Sequence, residues 1–119
     1  MKFSDTHEWA RLEGETVVVG ITEYAQKELG EVVYVQLPEV GQEVKGGVEV
    51  VILESTKAAS DIYSPVSGII TVVNEKVKED PSLLNHSAEK EGWLFKIAIK
   101  DRSELDTLLD QEQYLTLIS

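Results

Sequence analysis

Lys57 is the residue whose neighbours most favour chemistry at a side chain. Small residues surround it, Ser55-Thr56 before it and Ala58-Ala59-Ser60 after it. They leave its primary amine open to a modifying enzyme, and an arginine would offer no such nucleophile. The turn lacks the Asn-Gly or Asp-Gly pair that fixes a tight hairpin, so we expect that local sequence does not secure its geometry. From these residues alone, Lys57 is a candidate for acylation or an ordinary solvated turn lysine.

Other reactive side chains are few. The chain has no cysteine, which excludes disulfides, thiolate catalysis and thiolate metal sites, so any sulfur chemistry must come from a cofactor. His7 and His86 lie far apart, and neither has a histidine four residues away, so no metal site is predicted. A small hydrolase using His7, Glu8 and Asp61 as acid and base is an alternative. The sequence offers it no nucleophile elbow, metal pair or phosphate loop.

Length and charge limit the possible classes of protein. A chain of 119 residues with 42% hydrophobic content is expected to form one domain over 1–119. Its net charge of -11 would repel a phosphate backbone, so no nucleic-acid partner is expected. The apolar runs are far shorter than the roughly 20 residues that span a bilayer, so no membrane association is expected. The first residues lack a signal region or transit-peptide bias, which predicts a cytoplasmic protein.

Short β-rich runs separated by glycine and proline dominate the chain. This pattern predicts a mainly β fold, an antiparallel sandwich or flattened barrel. The runs are Thr16 to Ile21, Glu31 to Leu37, Glu43 to Leu53, Asp61 to Tyr63, Ile69 to Val73 and Trp93 to Ile99. A faint repeat, 40–45 against 73–78, predicts two similar β units on either side of the Lys57 turn.

Two helices are predicted from capping signals. Thr22 can cap a short helix near 22–30 that ends at Gly30, where a residue free to adopt positive φ is favoured. Ser103 can cap a C-terminal helix near 103–117, which has an apolar leucine face. Asp80-Pro81 is expected to open a single helical turn.

Taken together, the motifs resemble the H protein of the glycine cleavage system over essentially the whole chain. The matching blocks are Thr6 to Trp9, Val19 to Thr22, Ala25-Gln26, Leu29 to Val33, Leu37 to Gly41, Glu54 to Asp61, Ser64 to Gly68, Val73 to Glu75 and Glu91 to Leu94. The resemblance implies a lipoyl/biotinyl-domain-like flattened β sandwich, also called a barrel-sandwich hybrid.

The resemblance also implies a function as a non-catalytic carrier. Lipoic acid would be joined covalently to Lys57. The aminomethyl group of glycine would pass from the pyridoxal-phosphate glycine decarboxylase (P protein) to the aminomethyltransferase (T protein). Dihydrolipoyl dehydrogenase (L protein) would reoxidise the arm. With no internal thiol, nothing in the chain could attack the cofactor disulfide.

Further residues take roles from the resemblance alone. Glu54 and Gly68 match positions that the lipoylating enzyme, a lipoate ligase or a lipoyl/octanoyl transferase, would recognise. Thr6, Glu8 and Asp61 match residues lining a cleft that protects the loaded arm. Three positions depart from the family pattern and leave the details of partner binding open. They are Glu28, Val51 and Ile69.

Three related carrier proteins are alternatives to the glycine cleavage interpretation. A biotin carrier normally has methionines beside its lysine, where Thr56 and Ala58 stand here. The lipoyl domain of a 2-oxoacid dehydrogenase normally has aspartate directly before the lysine. A lipoate relay protein, which stores lipoate for other enzymes, needs the same lysine and stays open.

Overall fold

The structure, a computed structural model of residues 1–119, consists of two antiparallel sheets that do not close into a barrel. The six-stranded sheet has the order β1-β2-β3-β9-β8-β5, and the three-stranded sheet has the order β4-β6-β7. The strands are β1 (Lys2–Phe3), β2 (Glu8–Glu13), β3 (Thr16–Ile21), β4 (Val32–Gln36), β5 (Glu43–Val44), β6 (Glu49–Ser55), β7 (Ala59–Tyr63), β8 (Gly68–Val73) and β9 (Phe95–Ile99). The predicted mainly β sandwich is confirmed.

The main core lies between the two sheets and contains side chains from both. On β6, Val51 and Leu53 are fully buried while Glu54 is exposed, the alternation expected of a strand with one face on the core. Each such side chain contributes roughly 1.5–3 kcal/mol when fully buried. Val51, one of the departures from the family pattern, therefore fills core space.

The predicted strand from Glu43 to Leu53 is two strands. Residues 45–48 between β5 and β6 form a turn in which Gly47 has a φ of 87°. Strand β2 was not predicted from the sequence, because Glu8, Trp9 and Ala10 are all buried and show no alternation of polar and apolar residues. Trp9 donates its indole N–H to the Ala88 carbonyl at 3.0 Å, which makes it a packing residue.

The first predicted helix is confirmed as α1 (Glu23–Leu29). Thr22 caps it by accepting a hydrogen bond from the Ala25 amide, and Gly30 ends it at a φ of 80°. Two short helices follow β8, α2 (Glu75–Glu79) and α3 (Leu83–Ser87). The second half of the sequence repeat is thus helical where the first half forms β5, so the two segments do not fold alike. None of the helices combines the length and apolar character needed to cross a membrane.

The predicted C-terminal helix over 103–117 is divided in two. A 3-10 helix spans Arg102–Thr107 and α4 spans Gln111–Ile118. Between them Leu109 exchanges two backbone hydrogen bonds with Phe3, at 2.8 and 2.7 Å, and this pairing interrupts the helix. The caps are Asp101 and Asp110, and not the predicted Ser103.

Candidate functional site

Lys57 is the middle residue of an exposed three-residue turn, 56–58, at the tip of the hairpin formed by β6 and β7. Ser55 fastens this turn. Its hydroxyl accepts hydrogen bonds from the amides of Lys57 and Ala58, at 3.1 and 3.2 Å, and its own amide donates to the Ala58 carbonyl at 2.9 Å. The expectation that local sequence does not secure this turn is therefore wrong, because the hydrogen bonds to the Ser55 hydroxyl hold its backbone in place.

A second chain segment supports the turn from outside the hairpin. The amide of Thr56 donates to the carbonyl of Glu31, just after α1, at 3.0 Å. A Cβ atom placed on Gly30 would lie 3.2 Å from Cε of Lys57, so the lysine stem passes over that glycine. The Lys57 amine takes part in neither of the two salt bridges, which join Glu13 to Arg11 and Lys96. It is unpaired and open to modification.

Glu54 lies beside the Lys57 turn on the outer face of the three-stranded sheet. It is exposed and pairs across the sheet with Tyr34 on one side and Ala59 on the other. Tyr34 is 47% exposed. Side chains directly opposite one another in a sheet stand about 5 Å apart. A protein that approached Lys57 from this side would meet Glu54 and Tyr34 together.

Glu8 and Thr6 come together at a cleft of about 440 Å³. Oε1 of Glu8 accepts hydrogen bonds from the hydroxyls of Ser4, at 2.6 Å, and Thr6, at 2.5 Å. Oε2 receives only a long bond, 3.4 Å, from the Tyr63 amide. The cleft is lined by Ser4, Asp5, Thr6, Glu8, Gly47, Tyr63, Ser64, Pro65 and Leu108. Oε2 therefore keeps acceptor capacity for a donor in this cleft.

Burial controls the protonation of this carboxyl group. Glu8 is 1% exposed, and desolvation raises its pKa above the usual value for glutamate. Hydrogen bonds from Ser4, Thr6 and Tyr63 act in the opposite direction without cancelling the effect. A cation that entered the cleft would favour the carboxylate form, because an opposite charge nearby stabilises the ionised state.

Asp61 is not among the residues that line this cleft. It lies on β7 opposite Ile52 and is exposed. Alternate residues of a strand share a face, so Asp61 stands between Ala59 and Tyr63 on one side of β7. It therefore lies along the strand that connects the Lys57 turn to Glu8.

Gly68 lies far from Lys57. It pairs with Val44 and Ile99 near the other end of the molecule, where Gly47 bonds to Ser64. The length of β6, about 20 Å at the usual rise per residue, separates that end from the tip. A Cβ on Gly68 would lie 2.1 Å from the Ala98 carbonyl oxygen, so close packing of β8 on β9 accounts for a glycine here.

Two residues of the site were not predicted from the sequence. Ser4 donates its hydroxyl to Glu8 beside Thr6, and its alternate spacing with Thr6 was the available signal. Asn85 holds the segment beside Lys57 through its contacts with Gly30 and Val32. Asn85 lies 28 residues from Lys57 along the chain, and no local pattern connects the two.

Comparison with known proteins places this geometry in a family. Residues 1–119 match the family model described as glycine cleavage H-protein. This chain belongs to the glycine cleavage H-protein family. The glycine cleavage system H protein of Thermotoga maritima is 54% identical over 113 residues, covering 95% of this chain and 91% of that protein. The H protein of Legionella pneumophila strain Corby is 51% identical over 114 residues, covering 96% and 91%.

The fold of the family agrees with the one described above. The crystal structure of a glycine cleavage system H protein from Mycobacterium marinum is similar to this chain with a TM-score of 0.89 and 35% sequence identity. The similarity covers 97% of this chain and 93% of that one. The lipoyl-domain-like sandwich of the H-protein family therefore carries the Lys57 hairpin, the Glu8 cleft and the packing around Gly68.

Proposed function

We propose that this chain is the non-catalytic lipoyl carrier of a glycine cleavage system and that Lys57 is the attachment site. The observation that carries the proposal is the unpaired, exposed amine of Lys57 at the tip of a fastened hairpin in an H-protein fold. A group attached there extends away from the core, so different enzymes can reach it in turn.

The residues around Lys57 fit a covalent acyl group. The amine has no salt bridge to break, and acylation removes a charge that stabilises no partner in the molecule. When attached, a lipoyl group supplies a disulfide that accepts the aminomethyl group of glycine. The chain contributes no cysteine that could exchange with that disulfide.

The partners in this proposal are the P, T and L proteins and one lipoylating enzyme, a lipoate ligase or a lipoyl/octanoyl transferase. Each must approach the same hairpin and leave it, so each contact should be small and transient. Glu54 is proposed as a residue recognised by the lipoylating enzyme, since its exposed carboxylate lies beside the turn. A cytoplasmic location stays a prediction from the sequence.

We also propose that Glu8 and Thr6 protect the positively charged cargo at the end of the arm. Oε2 of Glu8 has a free acceptor position toward the cleft, and Thr6 holds the other oxygen in place. Asp61, midway along β7, is proposed to attract the same charge on its way to Glu8. A charge-assisted hydrogen bond in a site closed to water protects an amine better than one in open solvent.

The carrier role is tested by reconstituting glycine cleavage with purified P, T and L proteins. Lipoylated wild type should support glycine-dependent NADH formation at a rate that saturates with its concentration, and the chain alone should show no turnover. Lys57→Arg should support none, since arginine offers no amine to acylate. Lys78→Arg, at an exposed lysine of α2, is the matched control and should equal wild type. Activity retained in Lys57→Arg would refute the proposal.

The protecting role of Glu8 is tested separately. Lipoylated protein is loaded with glycine by P protein, P protein is removed, and ammonia release is followed without T protein. Glu8→Gln and Asp61→Asn should accept lipoate normally and release ammonia several times faster than wild type, since a single hydrogen bond is worth about 1 kcal/mol. Equal rates in all three proteins would show that these carboxylates do not protect the cargo.

A further inference from the structure

Outside the hairpin, the Lys57 turn contacts residues 30–32, which lead from the end of α1 into the first residue of β4. The Glu31 carbonyl accepts the Thr56 amide at 3.0 Å. The position of a Cβ on Gly30 lies 3.2 Å from Cε and 3.6 Å from Cδ of Lys57. The lysine stem therefore lies against a bare glycine Cα, and the turn is bonded to the neighbouring peptide.

Asn85 of α3 holds this segment on both sides of Glu31. Its side-chain N–H groups donate to the Gly30 carbonyl at 2.8 Å and to Oε1 of Gln26 at 3.1 Å. Its side-chain oxygen accepts the Val32 amide at 2.9 Å. One amide side chain thus connects α3, the end of α1 and the start of β4. The Lys57 turn is bonded to Glu31, the residue between the two that Asn85 holds.

We propose that residues 30–32, held by Asn85, fix the direction in which the Lys57 stem leaves the hairpin. Gly30 and Asn85 are then positioning residues for acylation of Lys57. The inference rests on the proposed carrier function and deepens it. A four-methylene stem on a tip turn would otherwise sample many directions, and restricting its root lowers the entropy lost when an enzyme aligns the amine.

The conformation of Gly30 makes the test specific. With φ at 80° and ψ at -156°, Gly30 adopts a backbone geometry that is nearly exclusive to glycine. Gly30→Ala therefore adds both backbone strain and a Cβ against Lys57. Gly41→Ala is the matched control, because Gly41 also has a positive φ, 92°, and a Cβ there has no atom within 4 Å.

A second pair of variants changes the hydrogen bonds that hold residues 30–32 and leaves Gly30 itself unsubstituted. Asn85→Asp keeps an acceptor for the Val32 amide and loses both donated hydrogen bonds, so a carboxylate faces the Gly30 carbonyl. Asn74→Asp is its control. The Asn74 side chain also donates to two oxygens, the carbonyls of Glu91 and Trp93, and accepts one backbone amide, that of Lys76.

The first measurement is the rate at which a lipoate ligase acylates each unmodified, folded variant with lipoate and ATP. Misplacing a reacting group by about 1 Å can cost about 100-fold, so Gly30→Ala should lower kcat at least about tenfold. Asn85→Asp should also lower kcat relative to wild type. KM should stay close to wild type, since the exposed surface around Glu54 is unchanged. Gly41→Ala and Asn74→Asp should match wild type in both constants.

The second measurement needs no enzyme. In the NMR spectrum of the unmodified chain, a nuclear Overhauser effect should connect the α-protons of Gly30 to the ε-protons of Lys57. It should persist in Asn74→Asp and weaken in Asn85→Asp. Its absence in wild type, or equal kinetics in Gly30→Ala and Gly41→Ala, would overturn the inference. If wild type carries no lipoate at all, the proposed function fails and this spectrum alone decides the positioning of the stem.

Discussion

At the scale of single residues, the site separates an exposed lysine from a buried carboxylate. Lys57 needs exposure to solvent, because enzymes must reach its amine from outside. Glu8 needs burial, because a hydrogen bond to a charged group is stronger where water is scarce. The chain meets both needs by placing Lys57 on a turn and Glu8 at the first residue of β2, beneath the cleft.

The raised pKa of Glu8 leads to a prediction about stability and pH. An acid whose pKa is raised by folding stabilises the protein while it is protonated, and that contribution is lost as pH rises through the folded pKa. Glu8→Gln replaces the carboxyl group by a neutral amide and so removes the cost of burying the ionised form. We expect the Tm of Glu8→Gln to equal or exceed that of wild type at pH 7, with the difference narrowing toward pH 4.5.

Thermal unfolding of both proteins between pH 4 and pH 8 measures this difference directly. Other titrating groups act on both proteins alike and cancel. Glu13→Gln, at an exposed carboxylate, serves as the control and should show no comparable trend. A Glu8→Gln protein that is less stable than wild type by the same amount at every pH would contradict the account of Glu8.

Gly68 gives a second prediction at this scale. A side chain at position 68 would meet the Ala98 carbonyl, so Gly68→Ala should lose about 1–3 kcal/mol or more of unfolding free energy. Gly14→Ala, where a Cβ meets no atom within 4 Å, should lose less. Urea titration measures both. Any lipoylation defect of Gly68→Ala should vanish when the rate is expressed per folded molecule. A stable Gly68→Ala that is not lipoylated would instead support direct recognition by the enzyme.

At the scale of elements, helix caps and β-rich runs in the sequence correctly predicted the elements that local hydrogen bonds determine. Thr22 and Gly30 predicted α1 almost to the residue, and the β-rich run from Thr16 to Ile21 predicted β3. The predicted helix over 103–117 was broken by hydrogen bonds between Leu109 and Phe3, which no local pattern contains. The same holds for the site. The small residues and the family resemblance singled out Lys57, while the contact between Gly30 and Lys57 depends on how two distant segments pack.

Tyr114 shows how such distant contacts join elements. Its hydroxyl bonds to Nδ1 of His7 at 2.8 Å and to the Thr22 hydroxyl at 2.7 Å, so α4 is tied to the cap of α1. Burial raises the pKa of this phenol, which keeps it neutral and able to donate. Tyr114→Phe should therefore lower the unfolding free energy by about 1–2 kcal/mol.

The measurement for Tyr114→Phe combines urea unfolding with amide hydrogen exchange. Protection of the Ala25 amide, which bonds to Thr22, should fall along with global stability. Tyr34→Phe is the control, because Tyr34 is half exposed; its effect should stay within about 0.5 kcal/mol. Equal stability of the two variants would mean that the Tyr114 hydroxyl does not connect α4 to α1.

At the scale of the whole molecule, we propose that residues 1–119 unfold as one domain. The largest core cluster joins side chains of both sheets, and β3 near the start of the chain pairs with β9 near its end. Neither half can keep its core without the other. Unfolding in urea, followed by tryptophan fluorescence and far-ultraviolet circular dichroism, should give one coincident transition. Two separate transitions would divide the chain into more than one domain.

The central claim is that this molecule carries its chemistry on Lys57, and one measurement tests it most directly. The protein is purified from its own host grown with lipoate, its intact mass is determined, and its peptides are mapped by tandem mass spectrometry. The account predicts one lipoyl group per chain, located on Lys57 and absent from Lys57→Arg, with exposed Lys45 unmodified. A chain without lipoate under these conditions, or with lipoate on another lysine, would contradict it.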